Sequence, residues 1–210
     1  MAETAAATAR PYGGEAAQER RARRRAQLLE AGLDLLGSGG WQAATVTAIC
    51  ERARLTPRYF YESFSSRDDL LVAIFDGVID EITREVLASN PSNPRETLRA
   101  TVKAFMRMVV SDPRKGRATF VEPLGSEALT RRRIEGMHWF AAQLASQAAG
   151  RRKLRKDEAR RLKTASLIAA GGLIELIVAW IEDEFDSSVE EVIDDYTRVC
   201  AAGLAATTAQ

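Results

Sequence analysis

The chain has 210 residues, 46% hydrophobic and 28% charged, enough for one good core or for a small domain joined to a larger one. Two cysteines and one histidine exclude a disulfide framework and a histidine-rich zinc site, and a reducing cytoplasm is the expected compartment. The formal net charge is +1, but residues 20–67 hold nine arginines against four acids while 182–195 hold eight acids and no base, which suits one-sided contact with a polyanion.

Residues 1–17, MAETAAATARPYGGEAA, lack a basic segment followed by a long apolar core, so they are no secretory signal and are expected to form a disordered tail. From Gln18 a first helix places Ala26, Leu29, Leu33 and Leu36 at helical spacing, and Gly37-Ser38-Gly39-Gly40 ends it. Arg20, Arg21, Arg23, Arg24 and Arg25 crowd its start, where positive charge opposes the helix dipole. Phosphate is then an attractive partner for some of them, a solvated arginine face being the alternative.

Residues 45–70 predict two short helices joined by a tight turn, followed by a third helix. Thr45 caps the first, with Val46, Ile49, Cys50 and Ala53 on its buried face. Thr56 and Pro57 open the second, with Phe60 and Phe64 inward. At about 100° per residue, Arg58 and Glu62 fall opposite Phe60, flanked by Tyr59 and Tyr61. An outward arginine can donate two hydrogen bonds to guanine O6 and N7, and a tyrosine hydroxyl can reach a phosphate or a base edge. Ser66 caps the next helix, with Asp69 at capping-box distance and Arg67 placed to pair with a phosphate. The pattern is a helix-turn-helix whose expected DNA contacts are Thr45, Thr47, Thr56, Pro57, Arg58, Tyr59, Tyr61, Ser63 and Arg67, with Arg24 and Arg25 from the first helix.

These residues resemble the DNA-binding domain of the tetracycline-repressor (TetR) family of bacterial regulators. Gly40-Trp41 resembles the family's Gly-aromatic pair, and Thr45, Val46 and Ile49 its Thr-Val-x-x-Ile. Ala53 with Leu55-Thr56 resembles its Ala-Gly-Val-Ser turn, Phe60, Tyr61 and Phe64 its aromatic run, and Ser66, Arg67 and Leu70 the start of its fourth helix. Arg54 departs, standing where the family has glycine, so it must take a positive φ or the turn must shift. Ser63 departs as well, standing where a larger polar residue is common.

The fourth helix is predicted from Arg67 towards Ala88, with Leu71, Ile74, Phe75, Val78 and Ile82 inward, as the link between two domains: 18–65 for DNA and 66–210 for effector and dimerisation. Helices follow around Glu96–Val110 and Glu127–Ala149, with a break at Asp112-Pro113 and a short segment near Thr119. The last two, about Asp157–Asp183 and Val189–Ala206, complete an all-α chain. The apolar run from Ala165 to Ile181 is short for a bilayer span and interrupted by Glu175, so a buried helix is expected and no membrane. Gly171, Gly172, Trp180, Tyr196, Val199, Cys200 and Gly203 are the expected dimer interface, since two half-sites raise affinity and demand two-fold symmetry.

The resemblance implies a repressor with a small-molecule pocket in the C-terminal domain, whose occupation releases it from a palindromic operator. Its candidates, chosen for apolar, aromatic or isolated polar character, are Phe105, Met106, Val109, Phe120, Met137, His138, Phe140 and Glu175, with Glu175 the sharpest as a carboxylate in a buried run. Arg131–Arg133 and the basic stretch Arg151–Lys163 read as solvated helix ends. No cofactor or metal is expected. The alternatives are an effector-independent or architectural DNA-binding protein and, more remotely, a helical-bundle enzyme using Glu175.

Overall fold

The computed structural model describes residues 14–122, 126–184 and 186–207, and those residues form helices and connecting turns. In chain order they are α1 (Gly14–Ala43), α2 (Val46–Ala53), α3 (Pro57–Tyr61), α4 (Arg67–Ala88), α5 (Pro94–Ser111), α6 (Pro113–Gly116), a π-helical turn (Arg117–Val121), α7 (Glu127–Ala149), α8 (Lys156–Ile181) and α9 (Val189–Ala206). Thr45, Ser66, Asn93, Ser126 and Ser188 each accept the N–H three residues on and so satisfy a donor that the first turn leaves free. Pro57, Pro94 and Pro113 open helices where a missing N–H costs nothing.

Two expectations for α1 are corrected. The helix already runs at Gly14, so residues 14–17 of the expected tail are helical, and 1–13 lie outside the described residues. The predicted stripe holds only in its second half: Leu33 and Leu36 are buried, but Ala26 is exposed and Leu29 only partly covered, with Leu28 and Ala31 buried in their place. Contact with α4 sets the phase, because a Cβ on Gly32 would lie 2.6 Å from Leu70 Cδ2, so α1 turns this residue to its neighbour. The helix breaks at Gly40 (φ 70°, ψ −171°), the last residue of the expected Gly37-Ser38-Gly39-Gly40 stop, and Trp41–Ala43 form a separate last turn.

Two apolar cores result. One joins Leu28, Leu36, Ile49, Phe60 and Phe64 to Leu70, Leu71, Ile74 and Phe75 of α4, and takes in Ala118 and Leu129 from later in the chain. The other gathers Val78 and Ile82 of α4 with Leu98, Val102 and Met106 of α5, Leu144 of α7, Leu173 and Ile177 of α8, and Ile193 and Tyr196 of α9. The α4 helix contributes to both, as do α7 through Leu129 and Leu144 and the π-helical turn through Ala118 and Phe120.

Polar contacts bind the two parts at α6. Arg114 pairs with Asp112 at 2.8 Å and reaches back to α1, to Glu30 at 2.8 Å and to Asp34, which also accepts from Arg52 of α2 at 2.8 Å. Gly37 makes this approach possible, since its Cβ would sit 2.8 Å from Arg114 Cα. The α8 helix is long and apolar enough to cross a bilayer by length and composition, and it is packed against α7, α9 and the π-helical turn.

Candidate functional site

The α2–α3 unit is held from beneath and open above. Ile49, Cys50, Phe60 and Phe64 are buried, whereas Thr45, Thr47, Thr56, Pro57, Arg58 and Tyr61 are exposed and Tyr59 and Ser63 are half-buried. The Arg58 side chain is 85% exposed and its Nε lies 3.2 Å from Glu62 Oε1. Glu62 also faces Arg24 at 3.5 Å, and the Arg24 guanidinium lies over the Tyr59 ring at 4.2 Å. Arg25 lies 4.9 Å over Phe64. The start of α1 is thus drawn against α3, leaving a basic and aromatic surface with one carboxylate in it.

Arg54 takes the left-handed conformation (φ 54°, ψ 42°), and its N–H bonds the Cys50 and Glu51 carbonyls, so the turn closes without glycine. Thr56 caps α3 by backbone conformation alone, its hydroxyl making no cap hydrogen bond, a departure from the expected side-chain cap. Arg67 is held in place, its guanidinium stacking 3.7 Å over the Trp41 ring. Trp41 is fixed in turn, its N–H donating to Glu122 Oε2 at 2.9 Å across 81 residues.

Between α4, α5, α7 and α8 lies an apolar cavity of about 290 Å³. Phe75, Ile79, Ile82 and Val86 line it from α4, Thr97, Thr101 and Phe105 from α5, and Phe120 from the π-helical turn. Arg133, Met137, Trp139, Phe140, Gln143 and Gln147 line it from α7, and Ala170, Leu173, Ile174 and Ile177 from α8. The Phe105 and Phe120 rings meet edge to face at 5.6 Å. The three threonine hydroxyls, Thr83, Thr97 and Thr101, donate to carbonyls one turn back on their own helices, which keeps the walls effectively apolar.

Residues 28–74, which hold the helix-turn-helix and the start of α4, match the family model described as bacterial regulatory proteins, tetR family. This is a TetR-family DNA-binding domain. A sequence relative, the HTH-type transcriptional activator FasR of Mycolicibacterium smegmatis, is 33% identical over 116 residues, covering 53% of this chain and 52% of its own. The chain spans about half the length of that relative. Among solved structures, a TetR-like regulator from Rhodococcus sp. RHA1 matches with a TM-score of 0.69 at 17% identity, over 87% of this chain and 96% of that one. FadR from Bacillus subtilis, solved in complex with stearoyl-CoA, matches with a TM-score of 0.69 at 15% identity, over 85% of this chain and 98% of that one. Both share the fold.

Set on the TetR fold, the pocket candidates divide by helical phase. Phe105, Phe120, Met137 and Phe140 line the cavity. Met106 and Val109 do not, both being buried in the C-terminal core, Met106 about 100° round α5 from Phe105. His138 is exposed beside cavity-lining Met137. Glu175 is exposed too, because α8 turns Ala170, Leu173, Ile174 and Ile177 to the cavity, so it is neither a buried carboxylate nor a cavity anchor. Arg133, read from sequence as solvated surface, lines the cavity instead. The stripe Phe75, Ile79, Ile82 and Val86 was the available sequence signal for the α4 wall.

The expected interface residues divide similarly. Gly172 and Gly203 are exposed, and a Cβ on Gly171, Gly172 or Gly203 would meet nothing within 4 Å. Ile168 and Val199 are 69% and 70% exposed. Tyr196, by contrast, belongs to the chain's own core, its hydroxyl donating to the Ala169 carbonyl at 2.8 Å, and burial pushes its pKa upward. Trp180 and Cys200 pack partly against that same core.

Proposed function

We propose that this protein is a sequence-specific DNA-binding transcriptional regulator, a homodimer that reads an inverted repeat through α3 and is controlled by a long-chain acyl effector in the cavity. The α4 helix carries the conclusion. Leu70 to Phe75 pack beneath the helix-turn-helix, whereas Phe75, Ile79, Ile82 and Val86 of the same helix line the cavity. A ligand that fits one tilt of α4 better than another must shift the spacing of the two recognition helices, since only differential affinity moves such an equilibrium.

The exposed apolar positions Ile168 and Val199, with the open glycines Gly171, Gly172 and Gly203, support a subunit interface on α8 and α9. The acyl class is supported by the nearly unbroken apolar lining and by the stearoyl-CoA bound to the B. subtilis relative of the same fold. An existing cavity favours a sensor over an effector-independent binder. The sign of regulation depends on where the operator lies: ligand-driven release frees a promoter that the protein covers and silences one that it assists. The sequence relative is named an activator.

The test is selection from a random duplex library, followed by titration of the enriched site with and without palmitoyl-CoA. An enriched inverted repeat with a steep salt slope, bound in a ligand-dependent way, is the expected result. Sequence-independent binding alone removes the regulator reading, and ligand-insensitive specific binding leaves the effector-independent one.

A further inference from the structure

Three consecutive arginines on α7 have different surroundings. Arg131 pairs with Glu127 at 2.6 Å, and Arg132 pairs with Asp76 at 2.6 Å and with Glu135 at 3.3 Å. Arg133 is half-buried, lines the apolar cavity and has no carboxylate within ion-pair distance among the described residues. Of the described residues lining the cavity it is the only one that carries a charge, since the remaining polar side chains there are threonines and glutamines. A guanidinium at the edge of an apolar space keeps its charge and favours an anion that also removes apolar surface from water.

Position gives this charge a direction. Gly136, one turn on from Arg133, faces the Phe75 ring, which belongs to the core shared with the DNA-binding domain, so Arg133 marks the cavity end nearest that domain. Gln147, with Val86 and Thr97, marks the other end. The two α7 positions are fourteen residues apart, about 21 Å at ~1.5 Å per residue. An extended chain advances about 1.3 Å per bond, as in the ~3.8 Å spanned by three backbone bonds, so roughly sixteen bonds fill that length.

We infer that Arg133 is the anion anchor of the cavity, holding the negatively charged head of a long-chain amphiphile beside the DNA-binding domain while the chain runs along α7 towards Gln147. This rests on the cavity being the effector site. Charge is then recognised at the end that adjoins the α4 lever, and chain length at the far end. The head is a carboxylate or a phosphate, which a planar guanidinium receives in the same bidentate way.

Displacement of the neutral dye Nile red from the full-length protein by palmitate, palmitoyl-CoA and 1-hexadecanol tests this. In Arg133→Gln the anionic ligands should weaken by about tenfold or more, while hexadecanol is unchanged, and Arg133→Lys should keep most of the affinity. Loss for palmitate alone assigns the anchored group as the carboxylate, and loss for palmitoyl-CoA alone assigns a phosphate. Equal weakening of hexadecanol, or no weakening of either anion, overturns the anchor and leaves the effector cavity standing. Failure of all three ligands to displace the dye from the wild-type protein overturns the cavity reading, and the anchor with it.

Discussion

The backbone N–H of Trp41 donates to the carboxylate of Glu122 at 2.9 Å, and this hydrogen bond ties the entrance of the helix-turn-helix to the residue that ends the π-helical turn. Phe120, two residues before Glu122, lines the cavity. Cavity wall and DNA-binding unit are therefore joined by a few residues of backbone and one charge-assisted bond. Glu122→Ala should cost about 1.5–3 kcal/mol of stability in urea unfolding. It should also blunt the ligand response of operator binding more than operator affinity itself. Unchanged ligand response would assign the bond a purely structural role.

Arg58 and Arg67 should separate base reading from positioning. Arg58 is exposed on the outer face of α3, so Arg58→Ala is expected to relax preference at one base position and cost about 1–3 kcal/mol. Arg67 stacks on Trp41, so Arg67→Ala should weaken all duplexes alike, lower the salt slope and slightly destabilise the fold. Titrations of matched and mismatched operators at several salt concentrations check both. Uniform weakening by Arg58→Ala would mean that α3 enters the groove on another face.

Arg54 occupies a left-handed backbone at the turn (φ 54°), where a Cβ costs about 1–2 kcal/mol and glycine adds unfolded-chain entropy of somewhat smaller size. Arg54→Gly should therefore stabilise the protein by about 0.5 kcal/mol, read from the urea midpoint. A loss of stability instead would show that the arginine side chain contributes contacts that outweigh its strain.

Gly37→Ala should destabilise, because the added methyl meets Arg114 Cα at 2.8 Å and backbone cannot swing aside as a flexible side chain would. A cost of about 1–3 kcal/mol is expected, with α1 and α6 pushed apart. Urea unfolding measures it, and a neutral result would mean that this junction is looser than its distances.

Acid should release the same junction. Hydrogen bonds from Arg114 hold the Asp112 carboxyl below its ordinary value; for Asp34 burial acts upward but is outweighed by hydrogen bonds from Arg52 and Arg114. A depressed carboxylate contributes its stability above the unfolded pKa and loses it as pH falls through the lower folded value. Thermal midpoints should be flat from neutral to about pH 4 and fall below it. In Arg114→Met the fall should be shallower. Parallel acid limbs in the two proteins would remove Arg114 as the cause.

Sequence alone determined the helix-turn-helix and nearly every helix boundary, because caps, prolines and apolar periodicity act over one or two turns. Thr45 and Ser66 cap where their positions required, and Phe60 and Phe64 are buried as their spacing demanded. Tertiary structure alone decided which faces meet. The phase of α1 follows from close approach at Gly32, and the exposure of Glu175 follows from α8 turning its other side to the cavity. The pairing of Arg131 and Arg132 while Arg133 lines the cavity is equally invisible in a run of like residues. The physical reason is range: a cap or a stripe is fixed by neighbours in the chain, whereas a cavity is the gap left between four helices and depends on the rotation of each.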